Sequence, residues 1–201
     1  MDKLQKINQL VSYLYKDKTG IRSSYDDIDI PANENYFSSG YGEIVFESIP
    51  ILLKEVTFEE DDIFLDLGSG IGRFCIEIFL TTQIKKVVGI ELERNRHLTA
   101  MQAKNKLQKY LSPKNKLNRE LQFYQENIAN FDFTKYNIIY MCSLCFPDKL
   151  LKIISNKLNE HPSLKAVLSF NKLDLEKIPL KKIITIPTSW TNNESIYYYS
   201  F

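Results

Sequence analysis

The chain has 201 residues, 44% of them apolar and 25% charged, the composition of an ordinary globular domain with a core. Lysine plus arginine number 26 against 25 aspartate plus glutamate, which excludes a global positive field of the kind that holds a protein on nucleic acid wherever it meets it. No apolar run reaches the roughly 18 residues needed to cross a bilayer, and "MDKLQKINQL" lacks the apolar core of a secretory leader.

Residues 3–16 carry Leu4, Ile7, Leu10, Val11 and Leu14 at helical spacing and predict an amphipathic helix. The polar stretch that follows is rich in Gly, Pro, Ser and Asn and reads as a long functional loop. "GEIVFESIPILLKEV", residues 42–56, reads as a helix with Pro50 as its kink or boundary. From residue 62 the chain alternates, with strands at 62–68, 85–92, 121–127, 136–142 and 164–170 and helices at 72–82, 95–111 and 148–158. Two β-rich runs, 181–187 and 194–201, have no helix between them and predict an antiparallel hairpin at the sheet edge. Such alternation gives an α/β fold, a mostly parallel seven-stranded sheet with helices on both faces. Residues 1–55 are expected to form a helical cap and active-site loop over a Rossmann-like domain of residues 56–201.

"IFLDLGSGIGR" is the informative stretch. In an α/β sheet the ligand lies beyond the carboxyl ends of the strands, near the first strand–helix turn. Gly68, Ser69, Gly70 and Gly72 occupy that turn, where glycine lets backbone approach a ligand and a helix N-terminus offers N–H groups. No Lys-Ser/Thr pair follows, which disfavours a P-loop. Asp66, just ahead of the glycines, opposes a pyrophosphate and suits a ligand with a cationic part. Glu91, at the end of "VVGIEL", is placed to accept both hydroxyls of an unphosphorylated ribose. Adenosine, ribose and an amino-acid arm with an ammonium describe S-adenosylmethionine.

"DLGSGIG" followed by "GIEL" resembles the class I, seven-strand methyltransferases. "NYFSSGYGEIVFESIPILL" resembles the "YGE" segment of the non-SET, DOT-like histone lysine methyltransferases, and "SWTNNESIYYYSF" resembles that family's closing segment. The resemblance covers the chain from about Asn35 onward. It implies a Rossmann-like methyltransferase fold, S-adenosylmethionine as cofactor, and a protein lysine, histone included, as acceptor. It further implies that Tyr41 and Glu43 of "YGE" lie at the cofactor, Glu43 reaching its amino-acid arm, and that Asn127 stands where the family has an Asp reaching the adenine. Trp190 and Tyr197, at the family spacing, would line a narrow lysine channel. Two positions depart: the family's Asn pair after the fourth strand, near the transferring methyl, is Cys142 and Ser143 here. Small lysine methyltransferases of mitochondrial proteins share "DLGSG-GR" and lack that pair, so the target protein stays open.

A lysine channel needs an apolar aromatic wall, because desolvation lowers the amine pKa and ring faces favour the cationic product. Tyr41, Phe146, Trp190, Tyr197 and Tyr199 are the candidates; Tyr197 and Tyr199 share one face of a strand, with Tyr198 on the other. "CSLC" has metal-site spacing, but only Cys75, His97 and His161 remain as further Cys or His ligands, too few in pattern for a closed zinc site. No metal is expected. Lys104, Lys106, Lys109, Lys114, Lys116 and Arg119 form a basic run that reads as a solvated helix face rather than a nucleic-acid patch. The three cysteines have no framework spacing and fit a reducing compartment; the cytoplasm is expected, with the nucleus or a host cell's interior left open. Two other functions remain: a small-molecule methyltransferase, and a non-catalytic protein that binds the cofactor.

Overall fold

The computed structural model describes residues 2–16, 42–111 and 118–201. Tyr41, most of the long polar loop, and Lys114 and Lys116 lie outside the described residues. Helix α1 spans Lys3–Leu14, started by a capping box in which the Asp2 carboxylate accepts the Gln5 amide and the Gln5 side chain accepts the Asp2 amide. Its Ile7, Val11 and Leu14 are buried, and the helix packs on α3 and α4.

Helix α2 spans Ser48–Glu55, so the helix expected over 42–56 is shorter. Pro50 explains this: it is tolerated in the first turn, where its missing N–H is no loss, and not further inside. Residues 42–47 leave the helix axis, and Ile44 instead forms an antiparallel bridge with Thr188.

The remaining elements follow the expected alternation: β1 Ile63–Leu67, α3 Arg73–Thr81, β2 Lys86–Glu91, α4 Arg94–Leu111, β3 Glu120–Gln125, β4 Ile138–Met141, α5 Asp148–Asn159, β5 Ala166–Ser169, β6 Leu180–Ile186 and β7 Glu194–Ser200. One 3-10 turn, Ser143–Cys145, follows β4. The seven strands form one sheet in the order β3-β2-β1-β4-β5-β7-β6. β3, β2, β1, β4 and β5 are parallel, while β7 runs antiparallel to both β5 and β6. The closing hairpin lies at the sheet edge as expected, with β6 outermost and β7 between β6 and β5.

Strand alternation divides the core between the two faces. Phe64, Tyr140 and Tyr198 pack with α1, α2, α3 and α4 on one face. Leu65, Ile139, Met141 and Tyr199 pack with α5 on the other. The first turn, between β1 and α3, is tied to the end of β2, since the amides of Gly68 and Ser69 both donate to the Ile90 carbonyl at 2.9 Å. This places the glycine run, Glu91 and the end of β4 around one opening.

Candidate active site

A cavity of about 420 Å³ opens at the carboxyl ends of β1, β2 and β4, within the range of small-molecule sites. Of the cofactor residues expected from sequence, Glu43, Asp66, Gly68, Ser69, Gly70, Glu91 and Asn127 line it. Of the acceptor residues, Phe146 and Trp190 line it.

Three expected residues do not line it. Gly72 takes φ +77° as the N-cap of α3, and a Cβ there would lie 2.6 Å from the Phe123 ring and 2.8 Å from Ala100; it is needed for the turn and for helix packing. Ser143 is fully buried, its Oγ 2.9 Å from Ser169 Oγ and accepting the Asn171 amide at 3.0 Å, so it ties the ends of β4 and β5 together. Tyr197 packs against the α5 face of the sheet, opposite Tyr198. Tyr199, a further expected wall, is buried with its hydroxyl donating to the Leu173 carbonyl at 3.0 Å and accepting the Leu173 amide at 2.7 Å.

Asp66, at the end of β1, is 2% exposed, and burial pushes its carboxyl up to about 8. Its Oδ2 accepts the Cys75 thiol at 3.5 Å, and its Oδ1 has no hydrogen-bond partner. Ser69 Oγ is likewise buried without a partner. Two unsatisfied polar atoms at the rim of a cavity are what a polar ligand would satisfy. Glu91 is anchored: its Oε2 accepts the Gly70 amide at 2.7 Å and its Oε1 the Glu93 amide at 2.9 Å. Burial raises the Glu91 carboxyl above its usual range, and those two amides oppose the shift. Asn127 accepts the Ala129 amide through Oδ1 at 2.9 Å while facing the cavity.

A strap from residue 42 to 44 crosses the opening and is fastened to the β6–β7 loop. Glu43 N–H donates to Ser189 Oγ at 3.1 Å, and Ser189 N–H donates to the Glu43 carbonyl at 2.9 Å. Gly42 lies against the indole of Trp190, whose Nε1 donates to Glu194 Oε2 at 2.7 Å. Aromatic rings continue inward from Trp190, with ring centroids 5.9 Å from Trp190 to Phe170, 6.3 Å from Phe170 to Tyr140, and 4.3 Å from Tyr140 to Phe74.

Sequence reasoning missed Phe74 and Tyr140, which line the cavity, while Phe170 belongs to the core behind them. Each sits in an apolar run, and periodicity cannot separate a core ring from a cavity wall. It also gave Arg73 no role at the cofactor, although Arg73 lines the cavity beside Glu43. Cys142 and Cys145 both line the cavity. His161 is engaged elsewhere, its Nε2 3.0 Å from the Phe133 carbonyl. Among the described residues the acidic cluster Glu59, Asp61 and Asp62 contains neither Cys nor His, and the Lys165 ammonium bonds Asp62 and Glu59 at 2.8 Å. In the basic run, Lys106 donates to the Leu14 carbonyl and Arg119 to the Phe79 and Ile84 carbonyls, which takes two of its cations into internal bonds.

Comparison with known proteins agrees with this geometry. Residues 30–161 match the family model described as "Histone methylation protein DOT1". The chain is 26% identical over 130 residues to a Caenorhabditis elegans histone-lysine N-methyltransferase specific for H3 lysine 79, covering 62% of this chain and 14% of that protein. A Drosophila melanogaster enzyme of the same description is 39% identical over 51 residues, 25% of this chain and 3% of that one. The chain thus spans only a small part of the length of these relatives. A Salinibacter ruber RNA methyltransferase solved with S-adenosyl-L-homocysteine superposes with TM-score 0.56 at 19% identity, covering 76% of this chain and 88% of that one. A Streptococcus pneumoniae protein assigned to tRNA (m1A22) methylation, solved with S-adenosyl-L-methionine, gives TM-score 0.51 at 16% identity over 70% of this chain and 66% of that one. These two show the fold. The chain belongs to the DOT1 histone-methylation family, S-adenosylmethionine-dependent methyltransferases of class I fold.

Proposed function

We propose that the chain transfers a methyl group from S-adenosylmethionine to the ε-amine of a protein lysine, and that a histone is the first acceptor to test. The observation that carries the lysine reading is that the rings of Phe74, Tyr140, Phe146 and Trp190 line the same cavity as Asp66 and Glu91. S-adenosylmethionine supplies an electrophilic methyl on a sulfonium sulfur. The protein's contribution is placement and exclusion of water. Asp66 and Glu43 would face the ammonium of the amino-acid arm, Glu91 the ribose hydroxyls, and Asn127 with Ile128 the adenine. The apolar ring faces disfavour an ammonium stripped of water and so lower the acceptor pKa from its usual value of about 10.4. They also stabilise positive charge as it develops on nitrogen. Cys142 is held as a neutral thiol by burial, and so is no general base at ordinary pH.

Leu144 is 45% exposed and Trp190 is 41% exposed at the mouth of the cavity. An apolar lip of this kind favours a polypeptide over a small molecule. The names of the curated relatives support histone H3 as the target. Free Cys75, Cys142 and Cys145 support a reducing compartment, the cytoplasm or the nucleus. Among the described residues no helix is long and apolar enough to cross a membrane.

The test is methyl transfer from tritiated cofactor to recombinant histones, nucleosomes and whole lysate, with mass-spectrometric location of the label. ε-Methyl-lysine is expected. Cofactor binding without label in any protein would overturn the lysine reading and leave the small-molecule or non-catalytic alternative.

A further inference from the structure

Trp190 lies in the loop between β6 and β7, and packing holds only part of its ring. The residue is 41% exposed, and its indole rests on Gly42 and on Phe170, with 5.9 Å between ring centroids. Its polar contact is the bond from Nε1 to Glu194 Oε2 at 2.7 Å. Glu194 is the first residue of β7 and pairs with Ile186 of β6. The carboxylate therefore stands on the sheet, and the ring it holds stands on the loop.

The loop keeps its shape by other bonds. Thr188 N–H donates to the Thr191 carbonyl at 2.7 Å, and Thr191 N–H donates to Thr188 Oγ1 at 3.2 Å. Ser189 and Glu43 are joined by two further bonds. Loss of the Glu194 carboxylate would thus free the indole about its side-chain torsions and leave the loop backbone where it is. Nor does the bond support the cofactor end, where Asp66, Glu91 and the glycine turn are tied to Cys75, to Glu93 and to the Ile90 carbonyl. An exposed hydrogen bond adds little to stability, because water takes its place when it breaks. What this one fixes is the direction of a single ring at the mouth of the cavity.

We infer that Glu194 is a positioning residue for the methyl acceptor: it holds the Trp190 indole at one angle across the mouth and so sets the opening through which the amine enters. This rests on the lysine reading above. Glu194 acts through Trp190 and not on the reacting atoms. A ring already held in place need not be ordered when the acceptor binds, whereas a free indole loses its torsional freedom at that moment and weakens binding. The effect therefore falls on the acceptor KM and spares the cofactor.

The test compares wild type with Glu194→Ala, which removes the bond, and Glu194→Gln, which keeps an oxygen for the indole N–H. The chain has one tryptophan, so its emission and its quenching by acrylamide report the ring alone. Calorimetry gives S-adenosylhomocysteine affinity, and steady-state transfer from tritiated cofactor gives kcat and KM for the protein that wild type labels, recombinant histone H3 first. Glu194→Ala is expected to shift the emission, increase quenching and raise the acceptor KM roughly fivefold or more, with S-adenosylhomocysteine affinity within about twofold of wild type. Glu194→Gln is expected to restore the emission and most of the KM. An unmoved ring in Glu194→Ala, a moved ring with KM unchanged, or Glu194→Gln as impaired as Glu194→Ala would each overturn the assignment. Wild type that binds the cofactor and labels no protein would instead sink the lysine reading, and this inference with it.

Discussion

Glu91 Oε2 accepts the Gly70 amide at 2.7 Å, so the acid at the end of β2 fastens the glycine turn at the end of β1. The same carboxylate accepts the Glu93 amide at 2.9 Å through its other oxygen. Glu91→Ala strands both buried donors, and should cost about 1–3 kcal/mol of stability together with cofactor affinity. Glu93 offers the contrast. It accepts the Asn95 and Arg96 amides at the start of α4, both at 2.7 Å, and does not line the cavity. Glu93→Ala should cost about 1 kcal/mol as a lost cap, with S-adenosylhomocysteine affinity retained. Urea unfolding and titration of each variant separate the two roles. Equal affinity losses in both would contradict a direct ligand role for Glu91.

Asp66 gives the site a pH dependence. Its folded pKa is raised to about 8 by burial, against about 3.9 in an unfolded chain. Between those values the folded protein keeps a proton that the unfolded chain has lost, so its stability falls as pH rises through the window. Glu77, raised to about 8 by burial, contributes in the same direction. Asp66→Asn should therefore flatten the decline without abolishing it. Binding runs the other way, because a ligand ammonium requires the ionised carboxylate. S-adenosylhomocysteine affinity should rise from about pH 6 toward 8 in wild type, with proton release detectable by titration in buffers of different ionisation enthalpy. Asp66→Asn should show neither. A pH-independent wild-type affinity would remove Asp66 from the ammonium site.

The glycine run, Asp66 and Glu91 were legible in sequence because each is local: a turn with positive φ after a strand, and an acid ending the next strand. Gly72 shows the limit, since a glycine that the helix cap and Phe123 require looks the same in sequence as one beside a ligand. The wall of rings was legible only in part: Phe146 and Trp190 were named from sequence, Phe74 and Tyr140 were not. Tyr140 is read as core because it lies in the buried strand "IIYM", and only the parallel pairing of β4 with β1, which sets Tyr140 beside Asp66, brings its ring to the cavity. Tyr197 was misplaced for the same reason, because β7 antiparallel to β5 turns that side chain to the α5 face. Register between distant strands decides such cases, and one sequence does not carry it.

Glu77 is a buried acid without hydrogen bonds at either oxygen, and an unsatisfied buried polar group is a cost to the fold. Replacing it with an apolar side chain of similar length removes that cost. Glu77→Met should stabilise the protein by about 1–3 kcal/mol, more at pH 8 than at pH 5, because burial raises the Glu77 carboxyl to about 8 and the wild type loses stability as pH rises toward that value. Urea midpoints at the two pH values provide the check. Destabilisation would mean that the carboxyl has a partner it is needed for, and the nearby Arg73 would be the first to examine.

Gly42 is where the strap meets the acceptor side. A Cβ on Gly42 would lie 2.4 Å from Trp190 Cζ3 and 2.6 Å from Cε3, closer than carbon atoms approach without displacement. The indole is tethered to Glu194 through Nε1 and rests against Phe170, so it cannot yield without breaking one of these contacts. Gly42→Ala should move the ring that walls the mouth while leaving Asp66, Glu91 and the glycine turn in place. The chain has one tryptophan, so its fluorescence reports the displacement directly. A shifted emission, S-adenosylhomocysteine affinity within about twofold of wild type, and at least a roughly tenfold loss of methyl transfer to the acceptor are expected together. Displaced tryptophan with transfer intact would show that Trp190 does not shape the acceptor path, and would leave Phe74, Tyr140 and Phe146 as its walls.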